Sequence, residues 1–123
     1  MSQDHLHHGF DYIEIPALDI DAAEMFYKVA FGWSFNAYGP AYLGIVTSDG
    51  REVGGISQVG SIAHGEGVLV VIFSNDLDAT HEAVRAAGGT ISRDPFTFPG
   101  GRRFHFKDSS GNELAVWGDP SDD

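Results

Sequence analysis

Glu14 stands between Ile13 and Ile15, and His105 stands between Phe104 and Phe106. Both are proton-exchanging groups set inside apolar alternations, where glutamate in particular is disfavoured. Side chains of an extended strand alternate between two faces. Glu14 therefore shares a face with Tyr12 and Phe10 while the isoleucines pack, and His105 shares one with Arg103 and Lys107 if the phenylalanines face the core. A partly buried carboxylate could be a general base or could pair with a cationic ligand group. An imidazole could act as acid, as base or as a hydrogen-bonding group. Both residues also admit structural roles. Glu14 could bond a backbone amide or an arginine, or lie on a wetted face, and His105 could be satisfied by a neighbour. Glu113 lies beside a turn and reads as exposed, while His81 and His64 lack partners at ligand spacing and read as surface residues.

Aromatic surface accompanies these groups. Phe10, Tyr12, Tyr38, Tyr42, Phe96, Phe98 and Trp117 could sandwich a flat or apolar ligand, or could serve core and dimer contacts instead. The run Pro95 to Gly101 reads as an apolar loop with glycine hinges, either a lid or a plain connection. Gly54-Gly55 lies inside a strand rather than before a helix, so it marks a bulge or a close approach and not a phosphate loop. His5, His7 and His8 could bind stray metal, but nothing near them fixes a geometry, and residues 1–9 read as a loose terminus.

The elements that would position these groups follow from length and repetition. The chain has 123 residues, 42% of them hydrophobic, which suits one domain able to bury a core without staples. With no cysteine there is no disulfide, thiolate metal site or cysteine nucleophile. Eighteen acids against seven bases give a net charge of −11, which argues against nucleic acid or an anionic membrane as partner. No apolar stretch approaches the roughly 20 residues of a bilayer span, and a cytoplasmic location is expected. Asp19 to Gly32 can be laid on Asp76 to Gly89 without a gap, each an aspartate-capped helix ended by glycine. A β-rich run precedes each helix (Phe10 to Ile15; Val68 to Phe73), and three strands follow, with turns at Asp49-Gly50 and Ser110-Gly111. The expected plan is strand, helix and three strands, given twice: residues 10–59 and 68–117, joined by a linker at 60–67 and closed by an acidic tail at 118–123. The strand Val68 to Phe73 is apolar on both faces, which calls for a cover on the side away from its helix.

Ile13-Glu14-Ile15-Pro16-Ala17-Leu18-Asp19, with Phe26-Tyr27 and Phe31-Gly32-Trp33, resembles the opening of vicinal oxygen chelate proteins, the glyoxalase, bleomycin-resistance and extradiol-dioxygenase superfamily. Asp108-Ser109-Ser110-Gly111-Asn112-Glu113-Leu114 is similar to its closing turn, with serine in place of proline. The resemblance implies an α+β fold of two βαβββ modules whose curved mixed sheets surround a groove, commonly completed by a homodimer. In metal-dependent members it implies ligands at strand positions that fall here on Tyr12, Val70, a site near Gly54, and Ala115. Three of those supply no side-chain donor, so no metal or other cofactor is expected. The expected groove carries Glu14 and His105 as candidate catalytic residues and Phe10, Tyr12, Val70, Ala115 and Trp117 as ligand contacts. Three functions stay open: a glyoxalase-like protein that binds a small organic metabolite in the groove, with metal-independent lyase or isomerase chemistry if it is catalytic; a non-catalytic drug-sequestering protein suited to a cationic planar drug; and a metal-dependent lyase or dioxygenase recruiting the N-terminal histidines.

Overall fold

The computed structural model describes residues 5–65 and 67–120. It runs β1 (Ile13–Ala17), α1 (Ile20–Phe31), β2 (Ser34–Ala37), β3 (Tyr42–Val46), β4 (Glu52–Gln58), β5 (Val71–Phe73), α2 (Leu77–Ala86), β6 (Thr90–Phe98), β7 (Gly101–Lys107) and β8 (Glu113–Gly118). These form two four-stranded sheets, ordered β1-β4-β3-β2 and β5-β8-β7-β6. In each, the first and last strands of a module pair in parallel and the remaining pairs are antiparallel. This is the α+β arrangement of twin βαβββ modules that the repeat predicts.

Both helices begin as the sequence dictates. Asp19 accepts hydrogen bonds from the amides of Asp21 and Ala22, and Asp76 accepts one from Ala79. Gly32 ends α1 with φ 71°, a left-handed conformation that glycine adopts without penalty. One face of α1 buries Ala23, Phe26, Tyr27 and Ala30. Phe26 lies 5.9 Å from Phe106 of the second sheet, and Tyr27 stacks on Trp33 at 4.8 Å with an interplanar angle of 4°. A single core thus joins the two modules.

Strand limits differ from expectation in two instructive places. The first strand begins at Ile13 because its ladder with β4 begins at the Ile13–Gly54 pair, which leaves Phe10 outside the sheet and fully exposed. The expected loop at Pro95 to Gly101 is mostly strand. Thr97 pairs with Arg102 and Phe98 with Gly101, so the turn is confined to Pro99-Gly100, and register breaks between Ile91 and Phe96 absorb Asp94 and Pro95.

The closing turn of the second module grips the first. Asp108 is 7% exposed and accepts from the amides of Ser110 and Asn112, both at 2.9 Å, from Asn112 Nδ2 at 3.0 Å, and from the buried Tyr27 hydroxyl at 2.7 Å. Asn112 Nδ2 also donates to the Pro16 carbonyl at 2.7 Å, and Ser110 Oγ accepts from the Leu18 amide at 2.9 Å. The strand-to-helix connection that aims Glu14 is therefore held by the other module.

Candidate functional site

The inner edges of the two sheets leave a cavity of about 1040 Å³, bordered by residues of the 60–67 connection. Glu14 and His105 both line it, together with Lys107 and Glu113. The structure thus brings the two candidate catalytic residues to one groove. A smaller cavity of about 220 Å³ lies among Ile15, Trp33, Val53 and Ile72.

Each sheet presents a face away from its helix, and the two faces differ in chemistry. In the first module Glu14 pairs with Gly55, which pairs with Gly44, so the middle of this face has no side-chain bulk. The space is used: a Cβ on Gly55 would lie 2.1 Å from the Tyr42 hydroxyl, and one on Gly44 would lie 2.6 Å from the Glu52 carboxylate. Tyr38, Asn36 and Tyr12 donate to Glu52 at 2.6, 3.0 and 3.0 Å, and Tyr42 donates to the Tyr12 oxygen at 3.4 Å. These donors, Tyr38 first and Asn36 next, hold the Glu52 carboxyl below its ordinary range. The phenols move the other way. Burial of its hydroxyl above all, then the bonds with Tyr42 and Glu52, pushes Tyr12 well up. Tyr38 is raised chiefly by its bond to Glu52, and Tyr42 chiefly by burial.

In the second module paired residues share a face, which gives two rows. Phe73, Trp117, Arg103 and Phe96 form one, and Val71, Ala115, His105 and Arg93 form the other. Trp117 meets Phe73 edge-on at 5.0 Å. Val71 and Phe73 stay 41% and 48% exposed, so the described residues do not supply the expected cover for β5. His105 Nδ1 lies 2.9 Å from Glu113 Oε2. A carboxylate can only accept, so this nitrogen carries the proton and the ring orientation is fixed.

The sequence-predicted set is redistributed by these faces. Tyr12 and Glu14 lie on one face, and Trp117, His105 and Ala115 on the other, Ala115 fully buried between its neighbours. Phe10 contacts neither face. Val70 packs with Ile72 against the core, on the side of Leu114 and Val116. The offset that aligns the helices puts Tyr12 on Leu69, and a slip of one residue exchanges faces. His81 is also not a surface residue: its ring packs edge-on against Phe104 at 5.0 Å. Glu52 carries no expected role in the sequence, and Glu113, exposed beside its turn as expected, is bonded to His105. Their one signal was their matching place after the two turns. His5 pairs with Asp11 at 2.5 Å and His7 stacks on His8, all exposed, and residues 1–4 lie outside the described structure.

The divalent metal of metal-dependent relatives does not fit these residues. Gly54, Val70 and Ala115 bring no donor, and among the described residues no three His, Cys, Asp or Glu side chains converge. No helix among them is long and apolar enough to cross a membrane.

All four tyrosines are raised, Tyr27 by burial and by Asp108. A phenol whose folded pKa exceeds its unfolded value of about 10 adds stability that is complete below that pH and lost as pH rises through the folded value. Spectrophotometric titration is expected to show little tyrosinate in the native protein near pH ~10, with the signal arriving together with alkaline unfolding. Urea-unfolded protein should titrate near the ordinary value. Native titration of all four tyrosines at that ordinary value would contradict the network.

Comparison with known proteins agrees with this architecture. The sequence profile of the Glyoxalase/Bleomycin resistance protein/Dioxygenase superfamily matches residues 9–116. A glyoxylase-like domain-containing protein of Didymella fabae is 36% identical over 130 residues, covering 90% of this chain and 94% of its own. A superfamily enzyme from Burkholderia phytofirmans PsJN superposes with a TM-score of 0.76 at 21% identity, covering 89% of this chain and 97% of its own. TnmS3, an antibiotic binding protein from Streptomyces sp. CB03234, superposes with a TM-score of 0.68 at 23% identity, covering 98% and 99%. With twin modules, a shared groove and a profile match over nearly its whole length, the chain belongs to the glyoxalase/bleomycin resistance protein/dioxygenase superfamily.

Proposed function

We propose that this protein is a binding protein for a flat organic molecule, held beside the groove against the face of the second module that carries Trp117. The observation that carries this reading is the uncovered aromatic row. Phe73 is 48% exposed next to Trp117, and Phe98 lies 6.4 Å beyond on the other side. Such a surface gains by receiving a ring system. That TnmS3, with the same fold, is an antibiotic binding protein supports the reading. We take the working form to be a cytoplasmic pair of copies. The exposed apolar residues Ile13 of β1, Val71 and Phe73 of β5, and Val68 in the segment before β5 support that assembly, as does the contrast between an acidic, tyrosine-rich face and a basic, aromatic one.

Catalysis is a second reading with its own observation. Glu113 fixes the His105 tautomer, leaving Nε2 to take a proton, and Glu14 stands at the same groove. The chemistry would be proton abstraction or isomerisation without metal.

The binding reading is tested by titrating purified protein with the neutral carboxamide of an anthraquinone while following tryptophan fluorescence and melting temperature. Quenching with a raised melting temperature is expected. Trp117→Ala should weaken binding by about tenfold, as expected for loss of an aromatic anchor. Neither quenching nor a melting shift would sink the proposal.

A further inference from the structure

The Glu52 carboxylate of the tyrosine face and the Glu113 carboxylate beside His105 are already engaged. Glu52 takes donors from Tyr12, Asn36 and Tyr38, and Glu113 takes His105 Nδ1. The basic face of the second module is the reverse case. Arg93, Arg103 and Lys107 are three of only seven bases in a chain with eighteen acids. Even so, none of the three is ion-paired among the described residues, whereas Arg102, on the opposite face, reaches Asp78 at 3.3 Å.

Among the described residues, two nitrogens on this face are buried without a hydrogen-bond partner: Arg103 Nε and His105 Nε2. They belong to residues two apart on β7, so their side chains share one face. The His105 side chain is only 9% exposed and lines the groove. A guanidinium Nε–H has no way to be other than a donor. Leaving this buried donor unpaired is costly, and native structures rarely keep one without an acceptor. His105 Nε2, the acceptor while Nδ1 holds the proton, becomes a second donor only when the ring is charged, with Glu113 beside it to balance that charge. The charges point the same way. The guanidinium carbons of Arg93 and Arg103 lie 3.8 and 5.4 Å from the centroid of the same ring, Phe96, and the His105 ring is 6.0 Å from it. Two like charges held around one ring gain from an anion placed between them.

We infer that this face is an oxyanion subsite, with Arg103 as principal donor and Arg93 and His105 flanking it, which selects a flat aromatic ligand bearing a carboxylate or phenolate oxygen. The inference rests on the proposed binding function and names its ligand class. It also reverses the expectation drawn from net charge, since a cationic ligand would meet arginines here. Phe96, beside all three groups and just past a register break in β6, is the side chain that yields to the ligand ring.

The test compares an anthraquinone carboxylate with its neutral carboxamide by calorimetry on wild type, Arg103→Gln and Arg102→Gln. Wild type should bind the carboxylate at least about tenfold more tightly. Arg103→Gln should lose most of that preference while still binding the carboxamide, and Arg102→Gln should keep it. Retained carboxamide binding also shows that Arg103→Gln is folded. Equal affinity of wild type for the two probes overturns the subsite and leaves the aromatic-binding reading standing, as does equal loss in the two variants. Binding of neither probe removes both.

Discussion

Asp108→Ala is expected to destabilise the protein by about 3–4 kcal/mol, with a melting temperature lower by roughly 10–15 °C. Alanine leaves the Tyr27 hydroxyl and the Ser110 and Asn112 amides without the carboxylate they now share, and Tyr27 is fully buried. Unpaired buried donors, rather than lost contact area, make up most of this cost. Tyr27→Phe removes one donor of the set and should cost about 1–2 kcal/mol. Ser109→Ala, on the exposed residue of the same turn, should stay within about 0.5 kcal/mol. Urea unfolding of the three variants checks the ranking. An Asp108→Ala midpoint as mild as that of Ser109→Ala would show that the turn does not pin the modules.

The second large effect is expected at adjacent glycines that differ in what surrounds them. A Cβ on Gly54 would lie 2.1 Å from the Ile13 carbonyl oxygen, which is backbone and cannot turn aside. Gly54→Ala must push β1 away from β4, so we expect a loss of about 3 kcal/mol or a first module that fails to form. A Cβ on Gly55 meets the far end of Tyr42 instead. Gly55→Ala should swing that ring off the sheet, cost about 1 kcal/mol, and release Tyr42 toward ordinary phenol titration. Denaturant midpoints and tyrosine titration of the pair separate the outcomes. Equal, mild destabilisation in both would refute the close approach.

Much of the architecture was legible because helix signals and turn glycines act locally. Asp19, Gly32 and Asp76 adjoin helix ends, and Gly50 and Gly111 sit in turns two residues before β4 and β8, each acting through the conformation of a few residues. Face assignments were legible where alternation ran unbroken, as for Arg103, His105 and Lys107. They failed at Val70, where the offset between repeats had to be guessed and a single slip inverts the answer. The closing strands carry the same trap. Counted from the turn glycines Gly50 and Gly111, Ile56 stands at the place of Trp117, yet Ile56 is fully buried in the core while Trp117 faces the other way. The Asp108 motif was recognisable, but its partner Tyr27 lies 81 positions away, and no local signal links the two. Glu52 was obscured for a related reason, because the break in register between Ile45 and Val46 lies beside its place in the ladder.

The grip of Ser110 and Asn112 on Leu18 and Pro16 has a consequence for how such a chain arose. If the repeat records a duplication, a half-length ancestor had no second closing turn within its own chain to hold its first strand-to-helix connection. It had to obtain that hold from another copy. Fusion converted a bond between molecules, dependent on concentration, into one within a molecule, and each half became free to lose the ability to stand alone. The two faces have since diverged, one gathering tyrosines around a carboxylate and the other arginines around a ring.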